Sequence, residues 1–306
     1  MAKQKILIVG GTGFIGYHLA KKCLSLGWDV TSISKKRPIE IRALKIKYLY
    51  CDLFNKLRLN KILKNLEFDY VVNLGGYVDH SKSKKTYNSH YVGCKNLVSA
   101  IQKKKLIKRF IQMGSSLEYG NKNSPHDENM TVNPKNSKSI YSKSKILATD
   151  FLLKKYREEN FPVIIFRLYL TYGPRQDLNR LIPIVINHCL KDVKFPTSNG
   201  DQLRDFIYIE DVVRILLRSI KKKNINGQIF NLGSGKATSV KKIISTIVQI
   251  VNKGKPNYGE IKLRSDEQNK TYPDIKKLKK NFSIYKFVDF SEGLKKTIKY
   301  YKKNVR

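Results

Sequence analysis

The sequence is short of sulfur, tryptophan and acid. Its 306 residues include 4 Cys, 3 Met and 1 Trp, and 24 Asp+Glu stand against 61 Lys+Arg. Cys23, Cys51, Cys94 and Cys189 lie far apart, with no C-x-x-C pair and no His-rich neighbour at metal-ligand spacing. That excludes a disulfide framework and a zinc site, and fits thiols in a reducing compartment with no metal. No apolar run approaches the roughly 18 residues that span a bilayer. The opening MAKQKILIVGG runs straight into a strand-like segment, without the apolar leader and cleavage site of a secretory signal. The expectation is a cytoplasmic protein with no membrane span. Hydrophobic content is 41%, enough for a sizeable core and too much for a disordered chain.

The charge balance gives a formal +37. Such an excess raises nucleic acid as a partner. Lysine supplies most of it, with arginine a minor share, and the lysines are spread in short runs such as Lys103–Lys105, Lys221–Lys223 and Lys276–Lys280. Cations suit helix C-termini. Together with the abundance of Ile, Asn and Tyr, the pattern resembles the product of an AT-rich genome. It reads as a solvated surface that attracts an anionic substrate, and nucleic-acid binding without chemistry is the weaker alternative.

Strand and helix signals alternate through the first half. Lys5–Val9, Asp29–Ile33, Ile46–Tyr50, Tyr70–Leu74, Arg109–Met113 and Pro162–Leu168 read as strands; Phe14–Leu26, Leu57–Leu66, Thr86–Lys104 and Ile140–Glu159 read as helices. This order predicts an α/β fold with a doubly wound parallel sheet. After Gly173-Pro174 the rhythm changes to helices at Leu181–Leu190, Ile209–Lys222, Val240–Val251 and Ser291–Lys302, with short strands between. Residues 1–172 are therefore expected to form a dinucleotide-binding domain. Residues 173–306 are expected to form mainly a smaller α/β substrate region, with some segments returning to the sheet.

Gly10-Gly-Thr12-Gly13-Phe14-Ile15-Gly16 follows the first strand and opens the first helix. Glycines at 10, 13 and 16 allow a tight turn and close approach of backbone to a pyrophosphate, whose charge the helix N-terminus favours. The second strand ends in Ser34-Lys35-Lys36-Arg37, where an acidic residue would bind the ribose hydroxyls of NAD. A hydroxyl and three cations suit a 2′-phosphate, so NADP(H) is favoured and NAD(H) is the alternative. Asp52-Leu53 after the third strand can take the adenine amino group. Leu74, Gly75 and Gly76, after Asn73, let the backbone approach the cofactor.

Tyr141 and Lys145 are one helical turn apart and share a face. A cation beside a phenol favours loss of its proton, which suits acid/base work near neutral pH. The bare Y-x-x-x-K spacing also occurs at Tyr17, Tyr91, Tyr258 and Tyr272, but only Tyr141 follows the fifth strand and its loop. That strand runs into Gly114-Ser115-Ser116-Leu-Glu118-Tyr119-Gly120, whose hydroxyls belong at the crevice where such sheets bind ligands.

Taken together, these motifs and Arg167…Tyr172-Gly173-Pro174 resemble the extended short-chain dehydrogenase/reductase family, within it the nucleotide-sugar epimerases, dehydratases and reductases. Arg204-Asp-Phe-Ile-Tyr-Ile-Glu-Asp211-Val and Asn231-Leu-Gly-Ser-Gly235 extend the likeness to the C-terminal part. The resemblance implies a Rossmann-type fold. It implies Ser115, with Tyr141 and Lys145, as the catalytic set, and Ser116 as the fallback. It gives Arg204, Arg264 and Asp266 to the nucleoside-diphosphate sugar, with Arg175 beside the Tyr-Gly-Pro turn on the same substrate. Two positions depart from the family: His90 stands where Asn is usual, and Leu170 stands where Asn often precedes Tyr-Gly-Pro. A 4,6-dehydratase of this family needs a carboxylate two residues beyond its catalytic Ser/Thr; here that residue is Leu117, and Glu118 comes one later. The expectation is NADPH-dependent reduction of the C4 ketone of an NDP-4-keto-6-deoxyhexose, for deoxysugar and surface-polysaccharide (lipopolysaccharide) precursors. An NAD-dependent 4-epimerase is the alternative. The resemblance also implies a homodimer built on the Thr86–Lys104 and Ile140–Glu159 helices.

Overall fold

The computed structural model describes residues 3–77, 82–102, 107–137, 139–263 and 267–304. The first elements are β1 (Lys5–Val9), α1 (Phe14–Ser25), β2 (Asp29–Ser34), β3 (Lys47–Tyr50), α2 (Lys56–Leu63), β4 (Tyr70–Asn73), α3 (Ser83–Tyr87), α4 (Gly93–Ile101), β5 (Arg109–Ser115), α5 (Ile140–Glu159) and β6 (Val163–Leu168). They are followed by β7 (Leu170–Tyr172), α6 (Leu181–Leu190), β8 (Lys194–Pro196), β9 (Leu203–Tyr208), α7 (Ile209–Lys221), β10 (Ile229–Leu232), β11 (Ala237–Ser239) and α8 (Val240–Val251). The chain closes with β12 (Lys255–Asn257), β13 (Lys270–Thr271), α9 (Lys276–Phe282) and α10 (Phe290–Asn304).

Seven strands form one sheet in the order β10-β6-β5-β4-β1-β2-β3. The neighbours from β3 through β6 pair in parallel. Parallel strands covered on both faces must be apolar throughout. β4 is buried along its whole length and β1 from Ile6 onward. Leu7, Val9, Val71 and Phe110 face a core made with Leu59 of α2 and Leu97 of α4. Ile6 and Ile8 point to the opposite face and are equally buried, on the side where α1 lies against β1 and β2. Chain order reverses between β1 and β4. In a doubly wound sheet this reversal opens a crevice at the strands' C-terminal ends.

Contacts divide the chain into two compact units: Met1–Gly120, Glu128–Leu168 and Val213–Phe230 form one, and Asn121–Asp127, Tyr169–Val212 and Asn231–Arg306 the other. In the second unit β9 is paired with β11 antiparallel and with β13 and β7 in parallel. Helices α6, α8 and α10 pack on one another. In α8 the buried residues Val240, Ile243, Ile244 and Ile247 make a stripe of helical period.

The helix expected over 86–104 differs in form. It begins at Ser83, widens into a π turn over Asn88–Val92 and resumes at Gly93. The widened turn carries His90, buried against Gly76, while Gly93 packs on Leu53, whose Cβ would stand 2.9 Å from a Cβ at 93. Such single-turn widenings are frequent at functional sites. Residues 103–105 lie outside the described residues.

Candidate active site

The glycine loop has the tightness the sequence predicts. Gly10 adopts φ +79°, and its carbonyl accepts from the Gly13 N–H at 3.0 Å. A Cβ at Gly16 would stand 2.2 Å from the Gly10 oxygen and 2.7 Å from the Gly11 Cα. Helix α1 then starts at Phe14 with no side-chain cap and no acid in its first turn. Its N–H groups are left to an anion. Thr12, Gly13, Phe14 and Ile15 are half-buried around this end. Leu74 and Gly75 run beside Gly10, within 3.3 Å of where its Cβ would be.

At the end of β2, the Ser34 hydroxyl is buried with no partner among the described residues. This orphaned group sits where the fold places an adenosine ribose, and with the glycine cradle it shows that the residues present fit a dinucleotide. The cations after it differ in their surroundings. Lys35 pairs with Asp52 at 2.9 Å, and Arg37 lies 5.9 Å from the centre of the Tyr50 ring. Burial works against the Asp52 charge, but hydrogen bonds from Lys35 and the Phe54 N–H, with the Lys35 charge, hold its carboxyl below the ordinary range. Leu53 is buried close to Gly75.

Ser115 ends β5, and Tyr141 and Lys145 lie in the first two turns of α5. Ser139 starts that helix by accepting the Ser142 N–H at 3.1 Å. The Ser115 Oγ accepts the Leu117 N–H at 3.2 Å, which leaves the hydroxyl proton for a substrate oxygen. Lys145 is buried; its Nζ donates to the Met113 carbonyl at 2.7 Å and stands 5.7 Å from the centre of the Tyr141 ring. His90 meets the Tyr141 ring edge to face at 5.0 Å, with its Nε2 at 3.2 Å from the Tyr77 carbonyl oxygen. Ser142 donates to the Leu117 carbonyl at 2.6 Å, tying α5 to the serine turn. Ser116 is half-buried beside it.

Two groups here escaped the sequence reading. Asn73 donates to Gln112 Oε1 at 2.8 Å and accepts the Gly75 N–H at 3.2 Å, while Gln112 donates to the Met113 carbonyl at 3.3 Å. A buried polar chain thus runs from the cofactor loop to the carbonyl that holds Lys145. Its signal was present: one amide in each of two strands, at positions that pair across the sheet. The second group is Glu118, which forms a buried ion pair with Arg167 at 3.0 Å.

In the second unit Arg204 is ion-paired with Glu267 and donates to the Leu203 carbonyl at 2.8 Å. Arg175 adopts φ +68° with its guanidinium 5.4 Å from the centre of the Tyr300 ring. Leu170 is exposed. Arg264 and Asp266 lie outside the described residues. Asp205 explains why an Arg-Asp strand and a Gly-rich turn occur together: it accepts from the Ser234 N–H (2.8 Å), the Ser234 hydroxyl (2.9 Å) and the Lys236 N–H (3.0 Å). Burial pushes its carboxyl up to about 6 in spite of these donors. An unfolded Asp titrates near ~3.9, so the folded chain holds this proton more tightly between those values. Its contribution favours the fold below pH ~4 and is lost as pH rises through about 6, a loss of about 2–3 kcal/mol. Denaturation curves from pH 4 to 7 should show this decline in the wild type and its absence in Asp205→Asn. Equal slopes would contradict it.

All four cysteines are buried and unpaired, and burial pushes the Cys23 and Cys94 thiols up to about 12. Among the described residues no group of His, Cys, Asp and Glu could hold a metal ion, and no helix is long and apolar enough to cross a membrane.

The fold and this site define a dinucleotide-binding enzyme of the Rossmann type, with a Ser-Tyr-Lys set at the strand ends. The chain belongs to the NAD dependent epimerase/dehydratase family, whose model matches residues 6–233. It is 28% identical over 316 residues to a putative UDP-glucose 4-epimerase of Methanocaldococcus jannaschii, covering 98% of this chain and 99% of that one. It is 26% identical over 319 residues to a UDP-N-acetyl-alpha-D-glucosaminuronate decarboxylase of Bacillus cytotoxicus, covering 98% of each chain. Among solved structures, the UDP-glucuronic acid 4-epimerase of Bacillus cereus, in complex with UDP-glucuronic acid and NAD, superposes with a TM-score of 0.87 at 25% identity, covering 98% of this chain and 100% of that one. The chain is thus an enzyme of a family whose members work on nucleotide sugars.

Proposed function

We propose that the protein reduces the C4 ketone of an NDP-4-keto-6-deoxyhexose with NADPH. The observation that carries this reading is the end of β2, where a buried Ser34 hydroxyl, unpartnered among the described residues, precedes Lys35, Lys36 and Arg37 and the strand itself ends in no acidic residue. Cations there suit a 2′-phosphate; an acid would suit free ribose hydroxyls. The bound cofactor supplies the hydride. Tyr141 gives its phenolic proton to the ketone oxygen, Lys145 holds the cofactor ribose and supports the phenol, and the Ser115 hydroxyl orients the carbonyl. Elimination of water lacks its base, because Leu117 carries none and both Glu118 oxygens are engaged in the interior. By the same reading the enzyme is a cytoplasmic homodimer that supplies deoxysugar nucleotides for surface polysaccharide.

NADPH consumption with dTDP-, GDP- and CDP-4-keto-6-deoxyhexoses tests the reading, through loss of the reduced nicotinamide's absorbance. A second reading, a 4-epimerase with retained NAD, is favoured by the names of the relatives and by the NAD in the Bacillus cereus structure. Interconversion of a UDP-hexose without added cofactor, and no ketosugar reduction, would replace the first reading by the second.

The cofactor choice has its own test. Lys35 is engaged by Asp52, so the phosphate falls to Lys36 and Arg37. Hydrogen bonds to charged groups contribute about 1.5–3 kcal/mol, and each ~1.4 kcal/mol is tenfold in affinity. Each of Lys36→Ser and Arg37→Ser should therefore weaken NADPH by about 10- to 100-fold, the double variant by about 10²- to 10⁴-fold, and all should leave NADH within about threefold. Equal weakening of both cofactors in a titration would reject the assignment of the phosphate to these cations.

A further inference from the structure

Glu118 has no exposed side-chain surface, yet it lies three residues from Ser115, in the turn that presents the serine. We infer that Glu118 is a positioning residue that sets Ser115 in register with Tyr141 and Lys145. The inference rests on the reading of those three as the reacting groups. Glu118 Oε1 accepts the Ser115 N–H at 2.9 Å. Oε2 accepts from Arg167 Nε at 3.0 Å and from Thr149 Oγ1 at 3.1 Å. One rigid carboxylate thus joins three elements. Ser115 is the last residue of β5, Arg167 lies in β6, and Thr149 is two turns along α5 from Tyr141.

The fit around the carboxylate is close. A Cβ at Gly114 would stand 2.4 Å from Oε1, so the carboxylate lies under the end of β5 in space that only glycine leaves free. Arg167 alone could balance the charge. The other two donors come from the serine itself and from the helix that carries the tyrosine. Ser115 also reaches back, its Oγ and backbone N–H making a capping box with the Glu118 turn. A shift of the carboxylate therefore moves the Ser115 backbone and its hydroxyl together.

A double-mutant cycle separates this from a general effect on folding. Turnover is measured for the wild type, Ser115→Ala, Glu118→Gln and the pair, on ketosugar reduction or UDP-hexose epimerisation, whichever reaction the wild type performs. Misplacing a positioned group by about 1 Å costs on the order of 10²-fold, so Glu118→Gln should lower kcat by about 10- to 100-fold and leave KM within about twofold. In the Ser115→Ala background the same change should cost less than about twofold, because the group it positions is gone. Thr149→Val, which keeps side-chain shape and the ion pair, should lower kcat by about 3- to 10-fold with the same dependence on Ser115, and it carries the test if Glu118→Gln does not fold. An equal loss in both backgrounds overturns the positioning role while Ser115 stands. Undiminished kcat in Ser115→Ala overturns the reading of Ser115 itself, and the positioning role with it.

Discussion

Replacing Tyr141 by Phe should lower turnover by about 10²–10⁴-fold, the span of a lost general acid, and leave cofactor affinity within about threefold. The argument is geometric. Phe keeps the ring that His90 meets edge to face, so α5 and the π turn should hold their places. Only the hydroxyl is lost. Lys145 should behave differently. Its Nζ stands beside the Tyr141 ring, and it is held by the Met113 carbonyl at the end of the chain from Asn73 through Gln112. Lys145→Met should lower turnover and also weaken the cofactor if, as proposed, the same cation serves the ribose. A full kinetic comparison, with Kd for the cofactor measured separately by fluorescence, distinguishes the two. Turnover within about threefold of wild type in Tyr141→Phe would sink the assignment of the acid.

This site was legible where short-range pattern decides and silent where partners are far apart in sequence. The apolar runs KILIV and PVIIFRL announced buried parallel strands because both faces of each are covered, and no alternative environment suits them. The glycine spacing in 10–16 announced the tight turn because a Cβ at 16 collides with backbone, which no relaxation of a side chain can relieve. Tyr141 and Lys145 stood out as candidates less by their helical spacing, which four other tyrosines share, than by their place after the fifth strand and its loop. The π turn at Asn88–Val92 was not legible, since its apolar spacing passes for a regular helix and the neighbours of His90 and Gly93, at Gly76 and Leu53, are distant in sequence. Glu118 looked in the sequence like a base one position out of place. Its partner Arg167 is 49 residues away, and Thr149 is 31. The pairing of β9 with β7, β11 and β13 is long-range in the same way, so the second unit's sheet could not be read from its short strands.

The Glu118–Arg167 pair also governs stability, and single replacement should cost more than double replacement. Both side chains are within the interior, at 0% and 2% exposure. Burial works against the Arg167 charge, and the Glu118 carboxylate and Tyr119, whose ring centre is 4.5 Å from the guanidinium carbon, offset it and hold Arg167 charged. Arg167→Met leaves that carboxylate buried without its counter-charge, and breaking such a pair from one side costs about 3–5 kcal/mol. Chemical denaturation should show a loss of that size. The double variant Glu118→Leu/Arg167→Met removes both charges, and replacing a buried pair by apolar groups of similar volume is often neutral or better by about 1–4 kcal/mol. Here the recovery should stop short of full, because the Ser115 N–H and the Thr149 hydroxyl lose their acceptor. Turnover should not recover with it. A double variant that melts close to wild type but stays slow separates the ion pair's part in the fold from the carboxylate's hold on the serine. A double variant less stable than Arg167→Met would mean that the two donors, and not the unpaired charge, dominate the cost.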